Sequence, residues 1–445
     1  MEGPPHYAVR VGSGSVRAAG DSLGCRFCGA ALELTVVDLG MSPLCESFVP
    51  AERLARMEPF YPLHVRACMR CWLVQLPAFV PPEEIFTEYA YFSGYSSAWV
   101  EHARAYVEMI RARLQLGETD LVVELASNDG YLLQHFVGTG IPILGVDPAA
   151  NVAAAAEERG VPTLVEFFGR ATAKRLVAEG RRASLVVGNN VLAQVPDLND
   201  FVAGVKMVLR DEGTATFEFP HLLQLLDGLQ YDTIYHEHFS YFSFGTIVEI
   251  LRAHGLEAYD VEELWAHGGS LRVYAQHADG PHSTGEAVSS LLADEEQEGL
   301  RSPERYAAFA AKVEESKRRL LDLLIELRRD GKRIAGYGAP GKGNTLLNYC
   351  GIRTDFLDYT VDRNPYKHGL FTPGTHIPIH PVERIADTRP DYVLVLPWNL
   401  VDEISSQLTY VGEWGGKLIV PIPLATIIEP GEDARERLVA AGRAA

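Results

Sequence analysis

Between residues 121 and 277 the chain alternates short apolar runs with amphipathic ones, and this pattern restricts its fold more than any other feature. LVVELA, PILGVD, TLVEFF, SLVVGNNV and TATFEF read as buried strands. AANVAAAAEERG, RATAKRLVAEG and DLNDFVAGVKMVLRDEG read as helices among them. Strands that alternate with helices pair in parallel, because each crossover helix carries the chain back over one face of the sheet. The helix FGTIVEILRAHG is then followed by LEAYDVEEL and SLRVYAQH, two strands with no helix between them. The expectation is an α/β fold with a seven-stranded doubly wound sheet, its last strand reversed and lying at an edge. Residues 303–330 read as one amphipathic helix, with Phe309, Val313, Leu320, Leu324 and Leu327 on one face. From RIAGYG to LIVPIP a second, smaller alternating unit appears, with strand-like FLDYTVD and DYVLVLP.

A chain of 445 residues has room for about three such units. Its net charge of −19 argues against a nucleic-acid or anionic-membrane binder, since phosphates need a basic surface. A small phosphorylated ligand held by a local lysine is still allowed. No apolar run reaches the length of a membrane span, and MEGPPHYAVRVGSGS carries no apolar segment of a secretory leader. A cytoplasmic protein with a loose tail over 1–22 is expected.

Four of the six cysteines form two pairs, Cys25-x-x-Cys28 and Cys68-x-x-Cys71. Each pair can close a knuckle, and two knuckles can present four thiolates to zinc. The 39 residues between the pairs exceed the spacing of a simple zinc ribbon, so a small insert must fill the gap. Buried free thiols or a redox pair are the alternatives. Cys45 and Cys350 read as small core residues. Downstream, Phe86, Tyr89, Tyr91, Phe92 and Tyr95 form an aromatic cluster, either a core beneath a loop or a lid over a pocket.

Three loops carry chemistry. The first, Glu124-Leu-Ala-Ser127-Asn128-Asp129-Gly130, lies between a strand and a helix, where ligands bind outside the carboxyl ends of a parallel sheet. Ser127 and Gly130 would admit close approach of the backbone, and Glu124 could accept from an ammonium group or order the loop. Asp147 closes the second strand 23 residues after Glu124, placed to accept two ribose hydroxyls. No GxGxxG is present here, which suits S-adenosylmethionine better than a dinucleotide. Capping of the next helix is the plainer role for Asp147. Asn189 and Asn190 would line the same cleft.

The second loop, Tyr231-Asp-Thr-Ile-Tyr235-His236-Glu237-His238, holds the densest ionisable cluster. Its histidines stand at i and i+2, so the i, i+4 spacing of a zinc protease is absent. General acid–base work fits better: an imidazole near neutrality takes a proton and a tyrosine hydroxyl donates to an oxyanion. A hydrogen-bonded loop without catalytic duty is the alternative. The third loop, Gly336-Tyr-Gly338-Ala-Pro-Gly341-Lys342-Gly343, contains GxGxxG with Asp362 located 21 residues beyond Gly341. By spacing it is a dinucleotide fingerprint, and any diphosphate could sit at such a helix start. A degenerate fold that holds nothing is also compatible.

CRFC…CMRC, ELASNDGYLL, GVDPA, NNVLAQVPDLNDF, YDTIYHEHFSYFS, HGGSLRVY and YGAPGKGNTLLNYCGI…VDRNPYKHG together resemble the sugar C-methyltransferases, over residues 23–425. The resemblance is to enzymes acting at C-3 of TDP-linked 4-keto deoxysugars for antibiotics. It implies a zinc-binding domain over 23–85, a class I methyltransferase domain over 86–300 and a connecting helix over 301–330. A Rossmann-like nucleotide-sugar domain over 331–430 and a tail over 431–445 complete the expected layout. It also implies S-adenosylmethionine as methyl donor and structural zinc on Cys25, Cys28, Cys68 and Cys71. His238 takes the place of the general base, with Tyr235, Glu237 and Tyr89 in the catalytic cluster. Gly338, Lys342, Asn344, Arg363 and Lys367 would meet the nucleotide sugar. Gln194 stands where the family pattern NNVxAHxPD has histidine, and it cannot titrate. Rival readings are a non-sugar ketone or enol as acceptor, an NAD-dependent sugar oxidoreductase, or a zinc scaffold with two relic nucleotide folds. Nucleic acid and membrane are not expected partners, and the oligomeric state is open.

Overall fold

The computed structural model describes residues 23–86 and 92–432. Its strands are β1 (Leu34–Ser42), β2 (Tyr61–Ala67), β3 (Val74–Gln75), β4 (Val122–Leu125), β5 (Ile143–Asp147), β6 (Thr163–Val165), β7 (Ala183–Asn189) and β8 (Leu209–Pro220). They continue with β9 (Ser240–Tyr241), β10 (Leu256–Leu264), β11 (Ser270–His277), β12 (Ile334–Tyr337), β13 (Thr360–Val361), β14 (Ile379–His380), β15 (Tyr392–Val395), β16 (Lys417–Val420) and β17 (Thr426–Ile428). Three sheets result. A four-stranded sheet runs β1-β2-β3-β9, a seven-stranded one β10-β11-β8-β7-β4-β5-β6, and a six-stranded one β14-β13-β12-β15-β16-β17.

The seven-stranded sheet is the expected doubly wound one, and its last strand in the chain, β11, is reversed. That strand does not lie at the edge, however. It is antiparallel to β8 on one side and β10 on the other, so β10 forms the margin. The residues give the reason. SLRVYAQH is buried at all but its final position, whereas LEAYDVEEL leaves its acidic side chains partly or fully exposed. Charge along one strand keeps an open edge from pairing further.

Two local expectations also change. The helix opened by Asp197, whose carboxylate accepts from the Asp200 N–H, stops at Val208 and not at Gly213. Leu209 turns extended to pair with Ala183, and 210–213 become the start of β8. After β4 there is only a single 3-10 turn, Leu133–Phe136, in place of a full helix.

Helix Pro303–Arg329 buries Phe309, Val313, Leu320, Leu324 and Leu327, the face read from the sequence. These side chains share one core with Val36 and Val37 of β1 and with Ile334, Val393 and Leu418 of the six-stranded sheet. The helix therefore joins the first sheet to the last by buried apolar surface, the main source of packing free energy. The four-stranded sheet is completed by a strand from far along the chain. β9, two residues past His238, pairs with β3 through Val74↔Tyr241 and Gln75↔Ser240. Among the described residues no helix is long and apolar enough to cross a membrane.

Candidate active site and metal centre

The four cysteines converge. All four Sγ atoms lie within 4.8 Å of one another, with Cys25–Cys71 at 3.6 Å and Cys28–Cys68 at 3.5 Å. Tetrahedral zinc with Zn–S near 2.3 Å would separate its sulfurs by about 3.8 Å. The two knuckles are built alike. The N–H of Gly29 donates to Cys25 O at 2.9 Å and that of Trp72 to Cys68 O at 2.8 Å, and both donors have left-handed backbone. Gln75 donates its side-chain N–H to Cys25 Sγ at 3.2 Å and accepts from the Arg26 N–H at 2.9 Å. Burial raises the Cys28 thiol, a penalty that a divalent cation reverses by stabilising thiolate. The donor set fits zinc, and with all four positions taken by cysteine it is a structural site.

At the carboxyl ends of β4, β5 and β7 a cavity of about 680 Å³ opens. Its walls include Asn128, Asp147, Asn189 and Asn190, with the rings of Trp99 and Tyr131 alongside. Those two rings stack at 5.9 Å. The two carboxylate oxygens of Asp147 accept from the N–H groups of Asn128 and Ala149, each at 2.9 Å. Asp147 is thus both a turn-former and a cavity wall, with lone pairs to spare for a ligand. Burial raises its carboxyl above the usual range. Both polar atoms of the Asn189 amide are buried without a well-aligned hydrogen bond, the Tyr131 hydroxyl being the polar group beside them. Such groups are costly unless a ligand satisfies them. Ala126, Asn128 and Asn190 all have left-handed backbone (φ 57°, 49° and 55°). Strain of this kind clusters where loops are shaped around ligands. These residues fit an adenosine-bearing cofactor.

Glu124, Ser127 and Gly130 sit behind this wall rather than on it. Ser127 Oγ packs against Gly145, where a Cβ would come within 2.4 Å. A Cβ on Gly130, whose φ is 76°, would meet Val161 at 3.1 Å and Ala156 at 3.2 Å. That glycine serves helix packing. Glu124 is 1 % exposed, and its oxygens lack a well-aligned partner among the described residues. Burial, then the charges of Asp147 and Asp129, hold its carboxyl well above the usual range.

The same cavity is lined by Tyr235, Glu237, His238 and Gln194. His238 Nδ1 lies 2.9 Å from the Thr233 carbonyl oxygen, which can only accept, so Nδ1 carries the proton and Nε2 the lone pair. The Tyr235 ring lies over it, with centroids 4.0 Å apart. His236 is separated from this group: its ring is buried, its Nε2 meets Tyr61 O at 3.3 Å, and burial lowers its affinity for a proton. Tyr89 lies outside the described residues, as does Tyr91, while Phe86 is buried and lines the cavity.

From the helix after β12 and the turn after β13, Lys342 and Lys367 reach the cavity. Lys342 Nζ donates to Asn399 Oδ1 at 2.9 Å and lies 5.1 Å from the Trp398 ring centre. Gly338, Asn344 and Arg363 do not line it. Gly338 turns against Pro397, Asn344 donates to the Cys45 carbonyl at 2.7 Å, and Arg363 points to Glu403 on the exterior. Sequence reasoning missed Glu46 and the cavity-facing side of Cys45, whose thiol lies 3.7 Å from Glu237 Oε1. Nothing in PLCES marks it as part of a site. Trp99 and Tyr131 were also missed, hidden as ordinary helix and loop aromatics.

Residues 25–86 match a family model for a zinc binding domain, 99–261 one for a methyltransferase domain, and 265–423 the C-methyltransferase C-terminal domain. C-methyltransferase NovU of Streptomyces niveus is 37 % identical over 404 residues, covering 91 % of this chain and 96 % of that protein. A solved S-adenosylmethionine-dependent methyltransferase from Clostridium acetobutylicum is 13 % identical, with 40 % and 92 % of the chains covered and a TM-score of 0.33. Magnesium protoporphyrin IX methyltransferase of Synechocystis, solved with the cofactor bound, is also 13 % identical, covering 40 % and 81 % at a TM-score of 0.30. The chain belongs to the zinc-binding, S-adenosylmethionine-dependent C-methyltransferases.

Proposed function

We propose that this enzyme methylates the carbon beside the ketone of a TDP-linked 4-keto deoxysugar, at C-3, in the assembly of an antibiotic sugar in the cytoplasm. One observation carries the reading. His238, its tautomer fixed by Thr233, shares a single cavity with Asp147 on one side and with Lys342 and Lys367 on the other.

S-adenosylmethionine, when bound, supplies an electrophilic methyl group. Asp147 would accept from its ribose, and Asn128, Asn189 and Asn190 would meet its polar edges, with Glu124, Ser127 and Gly130 shaping the loop behind. A carbon beside a ketone is not nucleophilic until it loses a proton. His238 Nε2 removes that proton, and the charge moves to the carbonyl oxygen. The Tyr235 hydroxyl donates to this oxygen, Glu237 and Tyr89 complete the cluster, and Gln194 positions the sugar without exchanging a proton. Base help of this kind contributes about 10²–10⁴-fold, and alignment of the two reactants roughly 7–11 kcal/mol. Lys342 and Lys367 face the diphosphate, with Gly338, Asn344 and Arg363 supporting their loops.

The test is incubation with S-adenosylmethionine and a panel of TDP-linked 4-keto sugars, read by mass spectrometry. Gain of one methyl at the carbon beside the ketone is expected. Methylation of non-sugar ketones alone, or hydride transfer from NAD(H) in place of methylation, would contradict the assignment.

A further inference from the structure

Glu46 comes from the loop between β1 and β2, yet it reaches the glycine loop of the six-stranded unit. Its Oε2 lies 3.6 Å from Lys367 Nζ. Its Oε1 lies only 3.1 Å from where a Cβ on Gly341 would stand, so the carboxylate rests on the first residue of helix Gly341–Cys350. Lys367 Nζ also donates to Ala339 O at 2.9 Å and sits 4.6 Å from the Phe48 ring centre. A helix start presents unpaired N–H groups and partial positive charge. With a lysine beside it, this is the arrangement that holds anions, and here a protein carboxylate fills it.

The carboxylate is not there cheaply. Burial raises its proton affinity, the Lys367 charge opposes this, and the charge of Asp362 adds to it. Asp362 stays nearby because its oxygens accept from the N–H groups of Ala339 and Asn364 at 2.7 and 2.8 Å. Lys367 and the helix start are therefore covered by a protein carboxylate at the wall of the cavity.

We propose that Glu46 is a placeholder anion, and that the substrate's diphosphate takes Lys367 and the start of helix Gly341–Cys350 from it. This rests on the nucleotide-sugar reading above. It adds a link to the chemistry, because Cys45, the residue before Glu46, lies against Glu237 of the catalytic cluster. Displacing Glu46 then acts on the loop that supports Glu237.

The test is calorimetric titration of the zinc-loaded full chain with TDP and, separately, with S-adenosylmethionine. Glu46→Gln is expected to tighten TDP binding by about tenfold or more, since a like charge beside the diphosphate is removed. Its affinity for S-adenosylmethionine stays at the wild-type value, which also shows that the variant is folded. In a Lys367→Met background the gain shrinks. Equal or weaker TDP binding by Glu46→Gln would overturn the proposal, as would TDP binding to neither protein. Methylation of TDP-sugars is scored separately. An active enzyme with no gain from Glu46→Gln sinks this inference alone, and an enzyme inert toward every TDP-sugar sinks the parent reading.

Discussion

Two histidines two residues apart have opposite fates. His236 is buried against Tyr61, while His238 lines the cavity with its Nδ1 proton committed to Thr233. His238→Asn is expected to lower methyl transfer about 10²–10⁴-fold. Its affinity for S-adenosylmethionine, measured by calorimetry, should stay near wild type, because the Asp147 side of the cavity is untouched. Asp232 gives a second prediction at this scale. It is fully buried, it accepts from Trp398 Nε1 at 2.7 Å, and burial pushes its carboxyl up to about 6, with Lys342 opposing. A raised carboxyl favours the folded state while protonated. That share of stability is complete below the unfolded value near 4 and is lost as pH rises through about 6. The loss is on the order of 3 kcal/mol. Asp232→Asn should remove it, so the melting temperature of the variant gains on wild type between pH 4 and 6.5. A constant difference across that range would contradict the account. Strand ends and loop motifs made Asp147, Asn128 and His238 legible in the sequence. Which of their neighbours face the cavity was not legible, because Ser127 and Gly130 are chosen by packing against Gly145 and Ala156.

The elements show why the catalytic loop needs help from distant parts of the chain. Residues 231–238 have little regular structure of their own. They are held by Thr345 Oγ1 donating to Ile234 O at 3.1 Å, by Trp398 on Asp232, and by β9 pairing with β3. Gln75 lies in β3, so the metal ligand Cys25, the strand pair and the loop of His238 form one connected chain of contacts. Gln75→Leu leaves the Arg26 N–H without its acceptor and should cost about 1–3 kcal/mol. Chemical denaturation measures that cost, and kcat is expected to fall more than the affinity for S-adenosylmethionine. Gly341→Ala should be worse than an ordinary surface change, since its Cβ would stand 2.9 Å from Cys45 Sγ. Overpacking there is expected to cost about 1–3 kcal/mol in the same assay. The alternation of strand and helix was readable because period and length are local properties. The inner position of β11 was readable only from the acids of LEAYDVEEL, and the β3–β9 pair not at all, because two-residue strands carry no period.

Across the whole molecule, residues from the β1–β2 loop, the seven-stranded unit and the six-stranded unit line a common cavity. The sequence pointed to three separate sites, and the structure brings the cofactor loop, the histidine loop, Lys342 of the glycine loop and Lys367 into a common space. Only the sulfur cluster stands apart, coupled through β3. The central claim is that His238 removes a proton from the carbon that is then methylated. Hydrogen–deuterium exchange tests it directly, with wild type and His238→Asn each saturated with S-adenosylhomocysteine and a TDP-linked 4-keto sugar in D2O. The account predicts that wild type washes deuterium into the carbon beside the ketone while the variant, binding both ligands, does not. Exchange by the variant at the wild-type rate would contradict it.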